Sequence, residues 1–192
     1  MQNALIVVAH PDTESLTHRV AAELAYGVAE QHGFELADLS AEGFDPRYNT
    51  EDLDLFRNQT AVPADVLAEQ ARINRADALV LVYPVYWWSF PALLKGWIDR
   101  VFTSGWAYDQ AEQGLLQRLP VHLVAIAGAG PRTYDKHGYS VAMNTQIEHG
   151  IFGYCGARVA SSTLLTQMDE RFPEGHFETV RRIGRELFSH RS

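Results

Sequence analysis

Asn3-Ala4-Leu5-Ile6-Val7-Val8-Ala9 is a nearly unbroken apolar run of strand length. A strand that alternates apolar and polar residues has one face in water. An unbroken run of branched and aliphatic residues belongs to a strand covered on both faces, as in parallel sheets. The run ends at His10-Pro11-Asp12, and the period then changes. Leu16, Val20, Leu24 and Val28 recur every four residues, with Ala21 and Ala25 beside them, which predicts a helix stopped by Gly33.

The same alternation continues along the chain. Phe34–Leu39 reads as a second strand. Residues 40–62 are polar, with Pro46 inside and Pro63 just beyond them, and read as a long loop with a helical turn at Glu51–Arg57. Loops of that length inside a domain are usually functional. Pro63–Arg75 reads as a helix with proline in its first turn, and Glu69 and Gln70 as its solvated face. Ala78–Tyr83 (ALVLVY) is a third buried strand ended by Pro84, followed by an aromatic and aliphatic helix over Pro91–Phe102. Val121–Ala127 is a fourth strand with a turn at Gly128-Ala129-Gly130-Pro131. A helix near Val141–Phe152, a strand near Arg158–Leu164 and a helix over Pro173–Ser189 complete the pattern. Arg181-Arg182-Ile183-Gly184-Arg185-Glu186 reads as a charged helix surface. Five strands separated by helices predict an α/β, doubly wound parallel sheet with helices on both faces, in one domain over residues 1–192.

Composition narrows the function classes. Acidic residues number 24 against 16 basic ones, a net charge of −8, with no Lys/Arg run. This disfavours a nucleic-acid or anionic-membrane partner. No apolar run approaches the ~20 residues that span a bilayer, and Met1-Gln2-Asn3-Ala4 enters the first strand without the features of a signal peptide. The expectation is a cytoplasmic protein with no membrane insertion. Cys155 is the only cysteine, which excludes an intrachain disulfide and a thiolate-built metal site; its small and apolar neighbours read as packing.

Ligands of open α/β sheets bind beyond the carboxyl ends of the strands, where strand order reverses. Three segments leave such ends: His10–His18, Pro84–Phe90 and Gly128–Tyr139. Ser15-Leu16-Thr17 opens the first helix, where free N–H groups and the helix dipole suit an anion such as phosphate; Ser15 is equally suited to be a plain N-cap. Tyr83-Pro84-Val85-Tyr86-Trp87-Trp88-Ser89-Phe90 crowds aromatics into a loop, as a wall for a flat ring or as filling beneath a helix. Gly128 and Gly130 allow close backbone approach, and Tyr134, His137 and Tyr139 follow as polar groups.

The chain resembles the flavodoxin-like NAD(P)H:quinone oxidoreductases of the DT-diaphorase type over nearly its whole length. The longest match is Pro84-Val85-Tyr86-Trp87-Trp88-Ser89-Phe90-Pro91-Ala92-Leu93-Leu94-Lys95-Gly96-Trp97-Ile98-Asp99-Arg100-Val101-Phe102, similar to the family's proline, aromatic pair and P-A-x-L-K-G-W-x-[DE]-R-V-F helix. Ala9-His10 with Ser15-Leu16-Thr17 resembles the loop holding the flavin phosphates. Phe44-Asp45-Pro46, Val66-Leu67-Ala68-Glu69-Gln70 and Tyr154-Cys155-Gly156 with Val159 resemble further family stretches.

The resemblance implies a flavodoxin-like sheet of order 2-1-3-4-5 and a homodimeric enzyme. NAD(P)H is the implied co-substrate, a quinone or other flat aromatic the acceptor, and FAD the expected flavin, with FMN the close alternative. Cofactor contacts are implied for His10, Ser15, Leu16 and Thr17. They are implied also for Pro84, Val85, Tyr86, Trp87 and Trp88, and for Ala127, Gly128, Ala129 and Gly130. Tyr108, in Trp106-Ala107-Tyr108, matches a family aromatic that reaches the partner subunit's site. The broad apolar surface of Leu93, Leu94, Trp97, Val101 and Phe102 is expected to face, in part, that second subunit. The family's larger members pair a tyrosine with a histidine six residues later. Tyr134 matches the tyrosine, Ser140 stands at the histidine's place, and His137 is the candidate substitute, so Tyr134, His137 and Tyr108 are the expected catalytic set.

Three other readings compete. Ala9-His10-Pro11-Asp12 is similar to the start of the zinc deacetylase signature A-H-P-D-D-E, but Thr13 stands where its second aspartate belongs. The eight histidines (His10, His18, His32, His122, His137, His149, His176 and His190) never fall three or four apart, so no helical ligand pair exists, and no metal is expected. Small relatives of these reductases are ancillary, flavin-binding subunits of potassium efflux systems; the long loop with Asn49, Asn58 and Gln59 favours the enzyme. A one-electron flavodoxin carrier would not need the aromatic wall.

Overall fold

The computed structural model describes residues 1–108 and 115–189; His190 lies outside them. Five parallel strands form one sheet of order β2-β1-β3-β4-β5, which is the expected doubly wound topology. The strands are β1 (Asn3–Val8), β2 (Gly33–Asp38), β3 (Ala78–Pro84), β4 (Pro120–Ala127) and β5 (Arg158–Thr166). Between them run α1 (Leu16–Ala29), α2 (Thr50–Phe56), α3 (Ala64–Arg75), α4 (Ala92–Val101), α5 (Pro131–His137), α6 (Tyr139–Met143) and a π-helix (Asn144–Gly153), and α7 (Glu174–Glu186) follows β5.

The unbroken apolar strands are explained by two separate cores. Leu5, Val7, Leu79, Leu81, Leu123 and Ala125 pack with Ile73, Leu94, Trp97 and Phe152 on one face. Ala4, Ile6, Val8, Val80, Val82 and Val124 pack with Val20, Leu24, Val28 and Val180 on the other. Every residue of β3 is buried.

Several boundaries differ from the sequence expectation. Gly33 is not a helix stop: α1 ends at Ala29, and Gly33 opens β2, where a Cβ would lie 2.8 Å from Asn3 Oδ1. β3 ends at Pro84 as expected but includes it, opposite Ile126, since proline is tolerated where no ladder N–H is required. Pro131 opens a helix at its first position.

Two side-chain expectations are overturned. Glu69 and Gln70 are buried rather than solvated. Gln70 Nε2 donates to Val101 O (2.9 Å) and Thr103 Oγ1 (3.0 Å), and Glu69 accepts from Trp97 and Arg72. A helix face that carries charge can still be buried when the partner helix supplies the donors. The stretch 181–186 is not only a charged surface either. Gly184 is buried where α7 crosses α1, and a Cβ there would lie 2.3 Å from Leu24 O; one on Gly27 would lie 2.2 Å from Arg181 O.

The apolar surface of the fourth helix is largely consumed inside the chain. Leu94, Trp97, Val101 and Phe102 are buried, and only Leu93 of the five is half-buried. Of that surface, Leu93 is the part left for a second subunit to cover.

The loop after β2 is fastened to α4. Asn49 caps α2, accepting from Glu51 N–H (2.8 Å) and Asp52 N–H (3.2 Å), while Asp52 Oδ2 accepts from Asn49 N–H (2.9 Å). Arg100 donates to Asp52 Oδ2 (2.9 Å), Asp45 O (2.9 Å) and Asp65 Oδ2 (2.7 Å). Gly96 permits the approach, since a Cβ there would stand 2.1 Å from Pro46 O. The expected helical turn in this loop is α2.

Candidate active site at the carboxyl edge of the sheet

β1, β3 and β4 are neighbours in the sheet, so the three segments singled out in the sequence leave it along one edge. Val85 N–H donates to Ile126 O (2.8 Å), extending the β3–β4 pairing beyond the strand. The chain then reverses: Tyr86 and Ser89 exchange backbone hydrogen bonds at 3.2 and 3.1 Å. The two residues between them are Trp87, with φ 48°, and Trp88, with φ 60°. A two-residue turn with both φ values positive favours Asn-Gly. Two bulky aromatics in the left-handed region cost of order 1–3 kcal/mol each. Such strain is concentrated at functional sites, and here it thrusts two indoles out beyond the sheet.

Opposite this turn lies the backbone of Gly128 and Ala129. Val85, Trp87, Trp88, Gly128, Ala129 and Tyr134 line an open cleft of about 240 Å³. The Cβ direction of Gly128 meets nothing within 4 Å, whereas that of Gly130 meets the Met168 side chain at 3.0 Å. Trp87 is 92% exposed. Trp88 stacks on Tyr139 (centroids 3.7 Å apart, planes at 14°) and meets the Tyr134 ring edge-on at 5.4 Å. Tyr134 is buried, and burial raises its hydroxyl above the usual phenol range, which keeps the proton on it near neutrality. His137 is exposed and stacks on Tyr139 at 5.2 Å.

At the first loop, Asp12 N–H donates to His10 Nδ1 (3.1 Å). Ser15 Oγ accepts from His18 N–H (3.3 Å) and so is an N-cap. The N–H groups of Leu16 and Thr17, the first two of α1, have no acceptor within the helix. The cap and the anion-binding readings of this loop are compatible.

The structure thus brings Val85, Trp87, Trp88, Gly128, Ala129 and Tyr134 together in one cleft. Pro84 and Ala127 lie behind it as buried strand ends, with Ala127 O accepting from Gln167 N–H (3.2 Å). Tyr86 is exposed beside the turn. Tyr108 lines a different cavity, of about 70 Å³, with Asp52 and Arg100, and its ring lies 5.4 Å from that of Tyr154. The Trp88–Tyr139 stack and the bond from Ser89 Oγ to Gln146 Oε1 (2.6 Å) have no counterpart in the expected site set. The partners of both contacts sit on segments whose placement no local pattern fixes. A larger cavity, about 440 Å³, lies behind Tyr134 beneath α6 and the π-helix, with Tyr83, Ser140, Asn144 and Glu148 in its wall.

Comparison with known proteins gives the same edge a context. The family described as having a flavodoxin-like fold matches residues 2–185. An "Uncharacterized NAD(P)H oxidoreductase" of Haemophilus influenzae is 33% identical over 80% of this chain and 78% of its own length. The rat "NAD(P)H dehydrogenase [quinone] 1" is 27% identical over 94% of this chain and 74% of its own. Among solved structures, the "NAD(P)H:quinone oxidoreductase from Methanothermobacter marburgensis" superposes with a TM-score of 0.89. It is 28% identical and covers 100% of this chain and 98% of its own.

Proposed function

The chain belongs to the family with a flavodoxin-like fold, and from that premise we propose that it is a flavin-dependent NAD(P)H oxidoreductase acting on a quinone or similar flat aromatic acceptor. The observation that carries the reading is the strained Trp87–Trp88 turn facing the bare backbone of Gly128 and Ala129, in a chain whose relatives bear quinone-reductase names. Those names favour the enzyme over an ancillary subunit of a transporter.

The donor set fits a flavin. The Leu16 and Thr17 N–H groups and His10 would hold the phosphates at the dipole end of α1. Val85–Trp88 on one side and Gly128–Gly130 on the other would border the ring, with backbone amides at its edge to tune it. A bound flavin supplies two-electron chemistry, taking hydride from NAD(P)H and passing it to the acceptor. Trp87 and Trp88 exclude water from one rim and give flat substrates a surface to stack on. Tyr134, kept protonated by burial, holds its Oη proton at the cleft wall, where it can donate to an oxygen or nitrogen that gains charge. His137, on the same helix and against Tyr139, is the nearest candidate to share that role.

FAD is favoured over FMN, because the loop at 40–62, fastened by Arg100, offers a surface for an adenosine half. A homodimer in which Tyr108 meets the partner's flavin is part of the proposal, as are a single domain over residues 1–192 and a cytoplasmic location. No helix among the described residues is long and apolar enough to cross a membrane. The test is direct. Purified protein should carry flavin absorbance, release FAD on denaturation by mass spectrometry, and oxidise NAD(P)H in the presence of quinones with parallel double-reciprocal lines. A protein that stays colourless after incubation with both FAD and FMN would overturn the proposal.

A further inference from the structure

The cap of α1 is part of a longer chain of side chains. Ser15 Oγ lies 3.0 Å from His18 Nδ1, and His18 Nε2 lies 2.8 Å from Asp38 Oδ2 at the end of β2. His18 and Asp38 are 13% and 17% exposed, so water competes weakly for these bonds. Asp38 is itself held: its Oδ1 accepts from Ser40 N–H (3.2 Å) and Ala41 N–H (3.1 Å). The groups facing His18 are Asp38 from β2 and His10 from the loop after β1, the His10 ring lying 6.3 Å from that of His18. Asp12 and Glu14 of that loop point to solvent.

We propose that His18 is a positioning residue that decides, through Asp38, whether the Ser15 hydroxyl can donate a hydrogen bond to a phosphate at the start of α1; this rests on the flavin reading above. The reasoning is one of proton placement. A carboxylate only accepts, so Asp38 fixes the neutral imidazole with its proton on Nε2. Nδ1 then carries a lone pair, and the Ser15 hydroxyl must give its proton to it. The oxygen that remains presents lone pairs to the helix N–H and to whatever anion approaches. When His18 gains a proton, Nδ1–H donates to Ser15 Oγ instead, and the hydroxyl proton swings free to meet a phosphate oxygen. The same protonation adds a positive charge beside the anion.

Linkage gives the sign. A phosphate bound at Ser15 favours the protonated imidazole, so binding takes up a proton and affinity falls as pH rises. FAD is the right probe because its diphosphate does not titrate in this range, whereas the FMN monoester does, near pH 6. One hydrogen bond of this kind is worth about five- to tenfold in affinity.

The experiment is calorimetric titration of the apoprotein with FAD from about pH 5.5 to 8, at each pH in two buffers of different ionisation enthalpy. In the wild type the Kd should rise about five- to tenfold across the range, with net proton uptake. In a His10→Gln background, which removes the other imidazole placed at the phosphates, His18→Leu should abolish both the slope and the uptake, with FAD bound at the upper pH no more weakly than by His10→Gln alone. In the same background Ser15→Ala should also flatten the slope, with weaker binding at the lower pH. A slope that survives in either variant, or uniform weakening of His18→Leu at every pH, overturns the relay and leaves the flavin site standing. No FAD binding at any pH in the wild type overturns the flavin reading itself.

Discussion

The indole N–H of Trp97 donates to Glu69 Oε2 across 2.8 Å, joining α4 to α3 inside the protein. Glu69 Oε1 accepts from Arg72 Nη1 (2.9 Å), and Arg72 also engages Glu35 and Glu42. Trp97 is fully buried, so its N–H has no water to turn to. Glu69→Ala should therefore cost about 2–3 kcal/mol, the price of a stranded buried donor plus lost packing. Glu69→Gln keeps an acceptor and should cost far less. Urea midpoints of the two variants decide it, and a change within about 0.5 kcal/mol for Glu69→Ala would mean an ordinary surface position after all.

Gly184→Ala pits two effects against each other. Alanine in place of glycine should favour a helix by about 0.5–1 kcal/mol. The added Cβ would lie 2.3 Å from Leu24 O, a backbone atom that cannot step aside. Overpacking of this kind costs about 1–3 kcal/mol, so the clash wins. The variant should unfold at lower denaturant than the wild type. A gain in stability would show that the α1–α7 crossing yields to an added methyl group.

Arg100 sets an acid limit on the fold. Its side chain and that of Asp52 are 2% and 3% exposed, and Arg100→Met would leave the Asp52 carboxylate buried without its cation, costing about 3–5 kcal/mol. Asp65, the more exposed partner, has opposing influences: burial, the largest single one, raises its pKa, but the hydrogen bond and charge of Arg100 together with backbone N–H donors outweigh it, and the net shift is downward. A carboxyl depressed in the folded state stabilises above its unfolded pKa and loses that contribution as pH falls through the folded one. Melting temperature should drop below about pH 4, and less steeply in Asp65→Asn. Identical acid slopes in both proteins would remove Asp65 from that account.

These contacts mark where sequence reading stops. The buried strands and the order of elements are legible because a run such as Ala78–Tyr83 can be placed only in a sheet covered on both faces. The segments 84–90 and 128–139 are legible as unusual because aromatics and glycines there serve no periodic face. Periodicity treats every charge as solvent-facing, which hides Glu69, whose indole donor comes from a helix 28 positions away. A lone glycine in a charged segment gives no hint that another helix crosses it, which hides Gly184. Asp38 stands 20 positions from His18 and meets it only because β2 lies beside β1. In each case the missing information is which distant backbone arrives at that spot.

The Trp87–Trp88 turn separates stability from function within one pair of residues. Both residues hold positive φ, a conformation glycine adopts freely. Trp87 is 92% exposed, so Trp87→Gly gives up little packing and relieves strain of order 1–3 kcal/mol; it should raise the melting temperature. Trp88→Gly gains the same relief but loses the stack on Tyr139 and the edge contact with Tyr134. Aromatic contacts are worth about 0.5–1.5 kcal/mol beyond burial, so its stability should stay near that of the wild type. If the two indoles line a flavin, both variants should shed the cofactor on gel filtration, Trp88→Gly most, while remaining folded. Trp88→Ala keeps the backbone strain and loses the ring, so it should be both less stable and flavin-poor. The pairing of melting curves with the retained visible absorbance of flavin reads both quantities from the same samples. Retained flavin in a well-folded Trp88→Gly protein would place the ring elsewhere, and the strain in the turn would then lack the use assigned to it.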